Sequence, residues 1–156
     1  MELNNLYDTL ELIGQRVRDR YKADLKAGDH IATGKLFNSI DYKLTVTGDS
    51  TKLYFTALDY WVNIENGQKK GTLVDVDVIK KWMVAKNIGG GDKRAYLISR
   101  KISSKGTKAN PYLRSIKRSL PDYKEEIMIA IKKDVKFEMD KIIIKNKLKN
   151  GNNNNQ

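Results

Sequence analysis

Apolar residues recur every three or four positions near both ends of this chain of 156 residues, and that spacing predicts an amphipathic helix at each end. The first predicted helix covers residues 3–27 and stops at Gly28. The last covers about 122–147, after a break or kink at Pro121. The apolar positions are Leu3, Leu6, Leu10, Ile13, Val17, Tyr21 and Leu25 in the first helix, and Ile127, Met128, Ile131, Val135, Met139 and Ile142 in the last.

Between the two helices the period of the apolar pattern changes to two, which predicts β-strands. Tyr42, Leu44 and Val46 alternate with polar residues, and the same alternation follows after the turn-forming segment 47–51. We therefore predict a β-hairpin over about 41–47 and 52–58.

Helix-start signals predict shorter helices around this hairpin. Thr33 is predicted to cap a helix that runs through Ile40, and residues 60–64 are predicted to form a short helix or wide turn. Asp75 or Asp77 is predicted to cap a helix that ends near Asn87, and Asp92 to cap a helix over 93–104. The pair Asn110-Pro111 is predicted to start the helix that precedes Pro121. The pattern as a whole predicts one α+β domain over residues 1–150, followed by a disordered polar tail over 151–156.

The composition of the chain excludes several kinds of functional site. The chain has no cysteine and one histidine, His30, which excludes disulfides, thiolate metal sites and histidine-rich metal sites. No apolar run approaches the roughly 20 residues of a membrane span, and the first residues lack the features of a signal peptide. We therefore expect a protein without a cofactor or membrane partner, made and used in a cytoplasm.

No arrangement of residues predicts catalysis. The glycine triplet 89–91 lacks the Gly-Lys-Ser/Thr that completes a phosphate-binding loop. Asp75 and Asp77 resemble paired metal carboxylates of a nuclease, but a helix start explains them better, and no third acidic ligand lies nearby in sequence. No serine or threonine has the histidine partner of a nucleophile. We expect neither an enzyme nor a metal site.

The net charge of +11 lies entirely in the second part of the chain. Residues 1–92 carry 13 basic and 13 acidic side chains, whereas 93–156 carry 17 basic and 6 acidic ones. Residues 93–120 have no acidic side chain; their cations are Lys93, Arg94, Arg100, Lys101, Lys105, Lys108, Arg114, Lys117 and Arg118. Such asymmetry predicts an acidic or polyanionic partner for one face, although a merely solvated face explains it equally well.

Three short segments, in their order along the chain, resemble a known family. Thr33-Gly34-Lys35-Leu36-Phe37-Asn38-Ser39-Ile40 is similar to a Thr-Gly-x-Leu-x-x-Ser-Ile element, residues 60–67 to a Tyr-x-x-x-x-Glu-x-Gly element, and Ala109-Asn110-Pro111-Tyr112-Leu113 to a Pro-Phe-Leu element. In this order, flanking a hairpin, they resemble the head–tail connector, neck and tail-completion proteins of tailed bacteriophages. The resemblance covers about residues 1–145.

The resemblance implies a structural virion subunit, assembled in the bacterial cytoplasm, which forms a ring of twelve or six copies around the DNA channel. Its implied partners are the portal or an adaptor protein, tail proteins and, without sequence preference, the DNA in the channel. We predict that residues 41–58 build the ring, and that oligomer or partner contacts come from Tyr60, Trp61, Ile64, Glu65, Trp82, Pro111, Tyr112 and Leu113. The cations of 93–118 would face an acidic neighbouring ring or DNA. The alternative is a sequence-independent nucleic-acid-binding protein that uses the basic region 93–149.

Overall fold

The computed structural model describes residues 3–47, 50–118 and 120–153, and it confirms the predicted α+β class. The elements in chain order are α1 (Asn4–Ala27), α2 (Lys35–Ser39), β1 (Asp41–Thr47), β2 (Ser50–Thr56), α3 (Trp61–Asn66), α4 (Val76–Ala85), α5 (Gly91–Lys105), α6 (Tyr112–Arg118) and α7 (Leu120–Asn153). The strands β1 and β2 pair antiparallel.

Helix α1 is the central element, because α6, α7 and the hairpin all pack against it. Its predicted apolar stripe supplies the buried residues Ile13, Val17, Tyr21 and Leu25. Leu36, Ile40 and Ile116 complete this main core. Leu25 is 1% exposed, and burying such a side chain stabilises the fold by about 1.5–3 kcal/mol.

The hairpin lies against α1 through a close approach at Gly14. The ring of Tyr42 occupies the space that a side chain at position 14 would need, and the Tyr42 hydroxyl donates to Glu11 Oε1 at 2.8 Å. Leu44 pairs with Leu53 across the two strands. The second strand covers 50–56 rather than the predicted 52–58, because pairing extends to Thr47 and Ser50 beside the turn. Residues 48 and 49 of the predicted turn lie outside the described residues.

Helices α4 and α5 form a separate small core around Ile79, Met83 and Ala95. Ile98 and Ile102 of α5 also pack into this core. The part of the chain that contains α4 and α5 begins and ends at neighbouring points. There Gln68 N–H donates to Thr107 Oγ1 at 2.8 Å, and Thr107 N–H donates to the Gln68 carbonyl at 3.0 Å. We call residues 69–106 the excursion.

Three predicted caps are wrong, and one is confirmed. Asp75 caps α4 by accepting from Asp77 N–H at 2.7 Å. Gly34 and Gly90, rather than Thr33 and Asp92, precede α2 and α5 in the left-handed conformation, which glycine adopts without strain. The Asn110 side chain bonds to the Lys108 carbonyl instead of capping α6.

The long C-terminal helix is present, but of its predicted stripe only Ile127 and Ile131 are partly buried. Met128, Val135, Met139 and Ile142 of the predicted stripe are all exposed. The buried residues are Ala130 and Asp134, and the partly buried Tyr123 and Ile127 pack on the main core. The helix continues through Asn153, three residues into the predicted disordered tail; residues 154–156 lie outside the described part of the chain.

Candidate functional site

The second and third segments of the resemblance meet at the buried carboxylate of Glu65, which is 7% exposed. Glu65 Oε1 accepts from the Tyr21 hydroxyl at 3.0 Å. Leu113 N–H donates to Oε1 at 3.1 Å and to Oε2 at 3.2 Å. A carboxylate beside the free N–H groups of a helix start is favourable, so Glu65 caps α6 in place of Asn110.

Backbone contacts also join residues 64–67 to residues 107–113, and we call this meeting point of the second and third segments the junction. The Ile64 carbonyl accepts from Asn110 N–H at 2.8 Å. Gly67 has φ 68°, and a Cβ at this position would overlap the backbone around Thr107 and Lys108. Only glycine combines this left-handed conformation with so close an approach. Residues 64–67 therefore fix the position at which the chain returns from the excursion and begins α6.

The first segment of the resemblance joins this junction through the main core. Leu36 and Ile40 are each 5% exposed and lie in one cluster with Tyr21. Ser39 Oγ accepts from Leu58 N–H at 3.1 Å, which ties the end of α2 to the chain leaving the hairpin. Residues from all three segments therefore contribute to one packed region around α1.

The tyrosines of the junction are held in their neutral form. Burial raises the pKa of Tyr21, and the charge of Glu65 and its hydrogen bond raise it further, so the Tyr21 hydroxyl remains a donor. Burial, with the charges of Asp24 and Glu65, also raises the pKa of Tyr112. The Tyr112 ring stands edge-on to the Tyr21 ring, with centroids 6.0 Å apart. The Tyr112 ring also contacts the His30 ring, with centroids 5.9 Å apart.

The predicted contact residues divide between the interior and the surface. Glu65 is bonded within the chain, and the partly buried Trp61, Ile64, Tyr112 and Leu113 pack against the main core. Pro111 is exposed at the start of α6. Tyr60 and Trp82 are 43% and 38% exposed, and these two aromatic side chains are the ones with substantial surface open to a partner.

Tyr60 and Trp82 line a cleft of about 760 Å³ between α4, α2 and the residues of α3. Phe37, Ile64 and Val78 provide further apolar lining. The cations at this cleft are Lys35, Lys81 and Lys86. Lys86 Nζ is held by the Asp29 carboxylate at 2.6 Å, whereas Lys35 and Lys81 form no ion pair with the described residues. The cleft suits an apolar side chain that is flanked by acidic groups.

All nine predicted cations of residues 93–118 are exposed, and none forms an ion pair within the described ranges. Five of them project from α5. Around this helix Tyr96, Leu97, Arg100 and Lys101 share one outer face with the neighbouring Leu73, and the Arg100 guanidinium lies 6.0 Å from the Tyr96 ring centroid. The structure therefore gathers much of the basic charge onto the excursion, beside exposed apolar side chains.

The hairpin has unpaired edges. β1 and β2 pair with each other, and no other strand occurs among residues 3–47, 50–118 and 120–153. Val46, Tyr54 and Phe55 are 59%, 47% and 46% exposed. Such edges are available to pair with a strand of another chain.

The described residues include no group of three or more histidine, cysteine, aspartate or glutamate side chains that would hold a metal ion. Asp75 is occupied as the α4 cap, and Asp77 pairs with Lys80 at 3.3 Å. Within the described ranges, no helix combines the length and apolar character needed to cross a bilayer.

Asp134 is a structural residue that the sequence analysis did not find. Its carboxylate is 2% exposed and accepts from the N–H groups of Asn5 (3.0 Å) and Leu6 (2.9 Å) and from the Asn5 side chain (2.7 Å). Burial acts to raise the pKa of Asp134, but these hydrogen bonds outweigh burial and lower it. No local signal in the sequence marks it, because the groups that it binds lie at the other end of the chain.

Comparisons with protein-family models, curated proteins and solved structures found no match to this chain.

Proposed function

We propose that this protein is a structural subunit of the neck of a tailed bacteriophage, where copies form a ring between portal and tail around the DNA channel. The observation that carries the proposal is the junction at Glu65. Three segments that resemble the family's elements are separated by the hairpin and the excursion, yet their residues pack together around α1.

The surfaces of the subunit suit a closed ring, in which a patch on one copy meets a different patch on the next. The hairpin offers strand edges that pair with no other strand in the described part of the chain. The cleft with Tyr60 and Trp82 offers an apolar recess beside Lys35 and Lys81. Half-exposed aromatic side chains in a recess are typical anchors of protein interfaces.

The cations of 93–118 are proposed to bind an acidic neighbouring ring protein. On the outer face of α5 they alternate with Tyr96 and Leu97, and a mixture of apolar and cationic groups suits a protein surface. A channel that passes DNA quickly gains nothing from a tight grip on the phosphates. Proximity to channel DNA is thus expected without strong binding.

The experiment is electron microscopy of the full chain, alone and mixed with portal or adaptor protein, together with a DNA gel shift over a salt series. Rings at the vertex or on the portal support the proposal. The alternative function, sequence-independent nucleic-acid binding, is favoured by the nine exposed cations, which form no ion pair with residues that the structure describes. It predicts tight DNA binding whose logarithm falls steeply with the logarithm of salt concentration.

A matched pair of variants separates the acidic partner from a general charge effect. Replacing Lys93, Arg100 and Lys101 by glutamate changes the outer face of α5, and we expect loss of binding to the partner ring. The control replaces Lys26, Lys124 and Lys132, which are also exposed but lie on α1 and α7, with the same change in net charge. Equal loss in both variants would argue against a specific basic face.

A further inference from the structure

The cleft that contains Tyr60 and Trp82 has walls from the two parts of the fold that have separate cores. On one wall, Leu36 belongs to the main core and Ile64 packs on it. The other wall is formed by α4 and by Ile88, which packs on the small core of the excursion. The cleft volume of about 760 Å³ is within the range of roughly 300–1,000 Å³ that is typical of ligand sites. The cleft is therefore large enough for a short segment of another molecule.

A side-chain contact joins the two walls, in addition to the hydrogen bonds between Gln68 and Thr107. Lys86 directly follows α4, and its Nζ donates to the Asp29 carbonyl oxygen at 2.7 Å and to Asp29 Oδ1 at 2.6 Å. The side chain of Lys86 is 16% exposed, so it is largely enclosed where it makes this contact. The walls are thus held in place before a ligand arrives, which lowers the entropy that binding costs.

The charge that remains at the cleft is positive. Asp29 is the one acidic residue among the lining residues that the structure describes, and Lys86 neutralises it. Lys35 lies at the start of α2 on one wall, and Lys81 lies on α4 on the other wall. Both lysines are exposed and form no ion pair with the described residues. A ligand that enters between the walls therefore has a cation on each side, and carboxylates on both sides of an apolar group complement it.

The lining of the cleft favours a peptide over a nucleic acid. Sites for single-stranded nucleic acid stack bases on aromatic rings and use arginine beside them. The described lining of this cleft contains no arginine and includes the aliphatic side chains of Ile64, Val78 and Ile88. A second copy of this chain would bring a net charge of +11 toward Lys35 and Lys81, so it complements them less well than an acidic protein does.

We propose that the cleft binds a short acidic segment of a different protein. An aliphatic or aromatic side chain of that segment lies beside Tyr60 and Trp82. Aspartate or glutamate residues before and after it pair with Lys35 and Lys81. The site is separate from the basic face of α5, because none of the cations of 93–118 is among its lining residues. It also leaves the hairpin edges for contacts between copies, so the inference does not depend on the proposed ring.

Selection from a random peptide library on the immobilised full chain tests the chemistry of the ligand. We expect the enriched peptides to share an apolar residue with acidic residues on both sides. Measured by calorimetry, their affinity should fall about tenfold or more in the double variant Lys35→Glu/Lys81→Glu. The same peptides with lysine at each acidic position should bind this double variant more tightly than they bind the wild type. The control Lys124→Glu/Lys132→Glu changes the net charge equally at exposed positions of α7 and should stay within about twofold of the wild type.

A second pair of variants, both on α4, tests the apolar part of the site. Val78 lines the cleft and is 55% exposed, whereas Val84 is 81% exposed and is not among the lining residues. Because both side chains are exposed, Val78→Asp and Val84→Asp are expected to fold, which circular dichroism checks. The affinity for the selected peptides should fall about tenfold or more in Val78→Asp and should be unchanged in Val84→Asp.

Three outcomes overturn the proposal. The first is a selection that enriches no peptide, or only peptides without acidic residues. The second is an equal loss of affinity in Val78→Asp and Val84→Asp. The third is a different occupant: binding of oligothymidylate, or self-association of the chain, that is lost in Val78→Asp but kept in Val84→Asp. Rings seen by electron microscopy are scored separately, because rings formed by Val78→Asp chains support the proposed ring whatever the peptides show.

Discussion

Replacing Glu65 removes the group that joins α1, α3 and α6, so Glu65→Ala should be among the most damaging single changes outside the apolar core. The variant leaves the Tyr21 hydroxyl and Leu113 N–H without the acceptor that they have in the wild type. Hydrogen bonds to charged groups contribute about 1.5–3 kcal/mol each. Since the two are not independent, we expect a total loss of about 3–4 kcal/mol.

Two further variants divide this loss. Glu65→Gln keeps the shape and one acceptor oxygen but loses the charge at the start of α6, and it should cost about 1–2 kcal/mol. Tyr21→Phe removes one donor while the carboxylate stays bonded to Leu113, and about 1 kcal/mol is expected. The double-mutant cycle between the two positions should give a coupling of about 1 kcal/mol. Glu125→Ala, at an exposed site on α7, is the control and should change stability by no more than about 0.5 kcal/mol.

The assay is urea unfolding followed by circular dichroism, with hydrogen exchange at the Leu113 amide as the local readout. For a chain of this length, the loss in Glu65→Ala corresponds to a fall in Tm of about 10 °C. Two results would refute the reasoning: a loss below about 1 kcal/mol in Glu65→Ala, or an unchanged exchange rate at Leu113. A cost in Glu65→Gln equal to that in Glu65→Ala would show that the charge, rather than the bonding geometry, dominates.

Three other predictions concern separate parts of the fold. The lowered pKa of Asp134 means that its stabilisation is present above the unfolded value of 3.8 and lost as pH falls through the lower folded value. Amide exchange at the start of α1 should accelerate over that range, and Asp134→Asn but not Asp140→Asn should produce the same change at neutral pH. Gly14→Ala should destabilise by about 1–3 kcal/mol despite alanine's higher helix propensity, because the Tyr42 ring must move; a rise in Tm would contradict the packing described. Ala95→Leu overpacks the excursion, where Ala95 is 0% exposed, and exchange should accelerate in α4 and α5 while α1 amides keep their protection; uniform acceleration would mean that the two cores unfold together.

Local patterns predicted the elements of this fold because their causes are local. The three- and four-residue spacing of α1 and the alternation of β1 depend on neighbours within a few positions. Asp75 caps α4 through Asp77, two residues away. In each case the residues that cause the structure stand side by side in the sequence.

The caps of α1 and α6 were not predictable in the same way. Their acceptors, Asp134 and Glu65, lie 128 and 48 residues from the amides of Leu6 and Leu113. Periodicity likewise found the apolar residues of α7 but not the side that packs against α1, because small and charged residues, Ala130 and Asp134, occupy the buried positions of that side. The exposure of the predicted contact residues was not predictable either. Hydrophobicity identified both Trp61 and Trp82, whereas packing makes Trp82 the more exposed of the two.

The two hydrogen bonds between Gln68 and Thr107 have a consequence for how such a protein changes over evolutionary time. Because the excursion leaves the rest of the domain and returns to it at adjacent points, it can be lengthened, shortened or replaced while the sequence of the main core stays the same. Binding of a new partner protein then requires changes in the excursion alone. Splicing a short glycine-rich connector between the two points should leave a stable, correctly folded remainder.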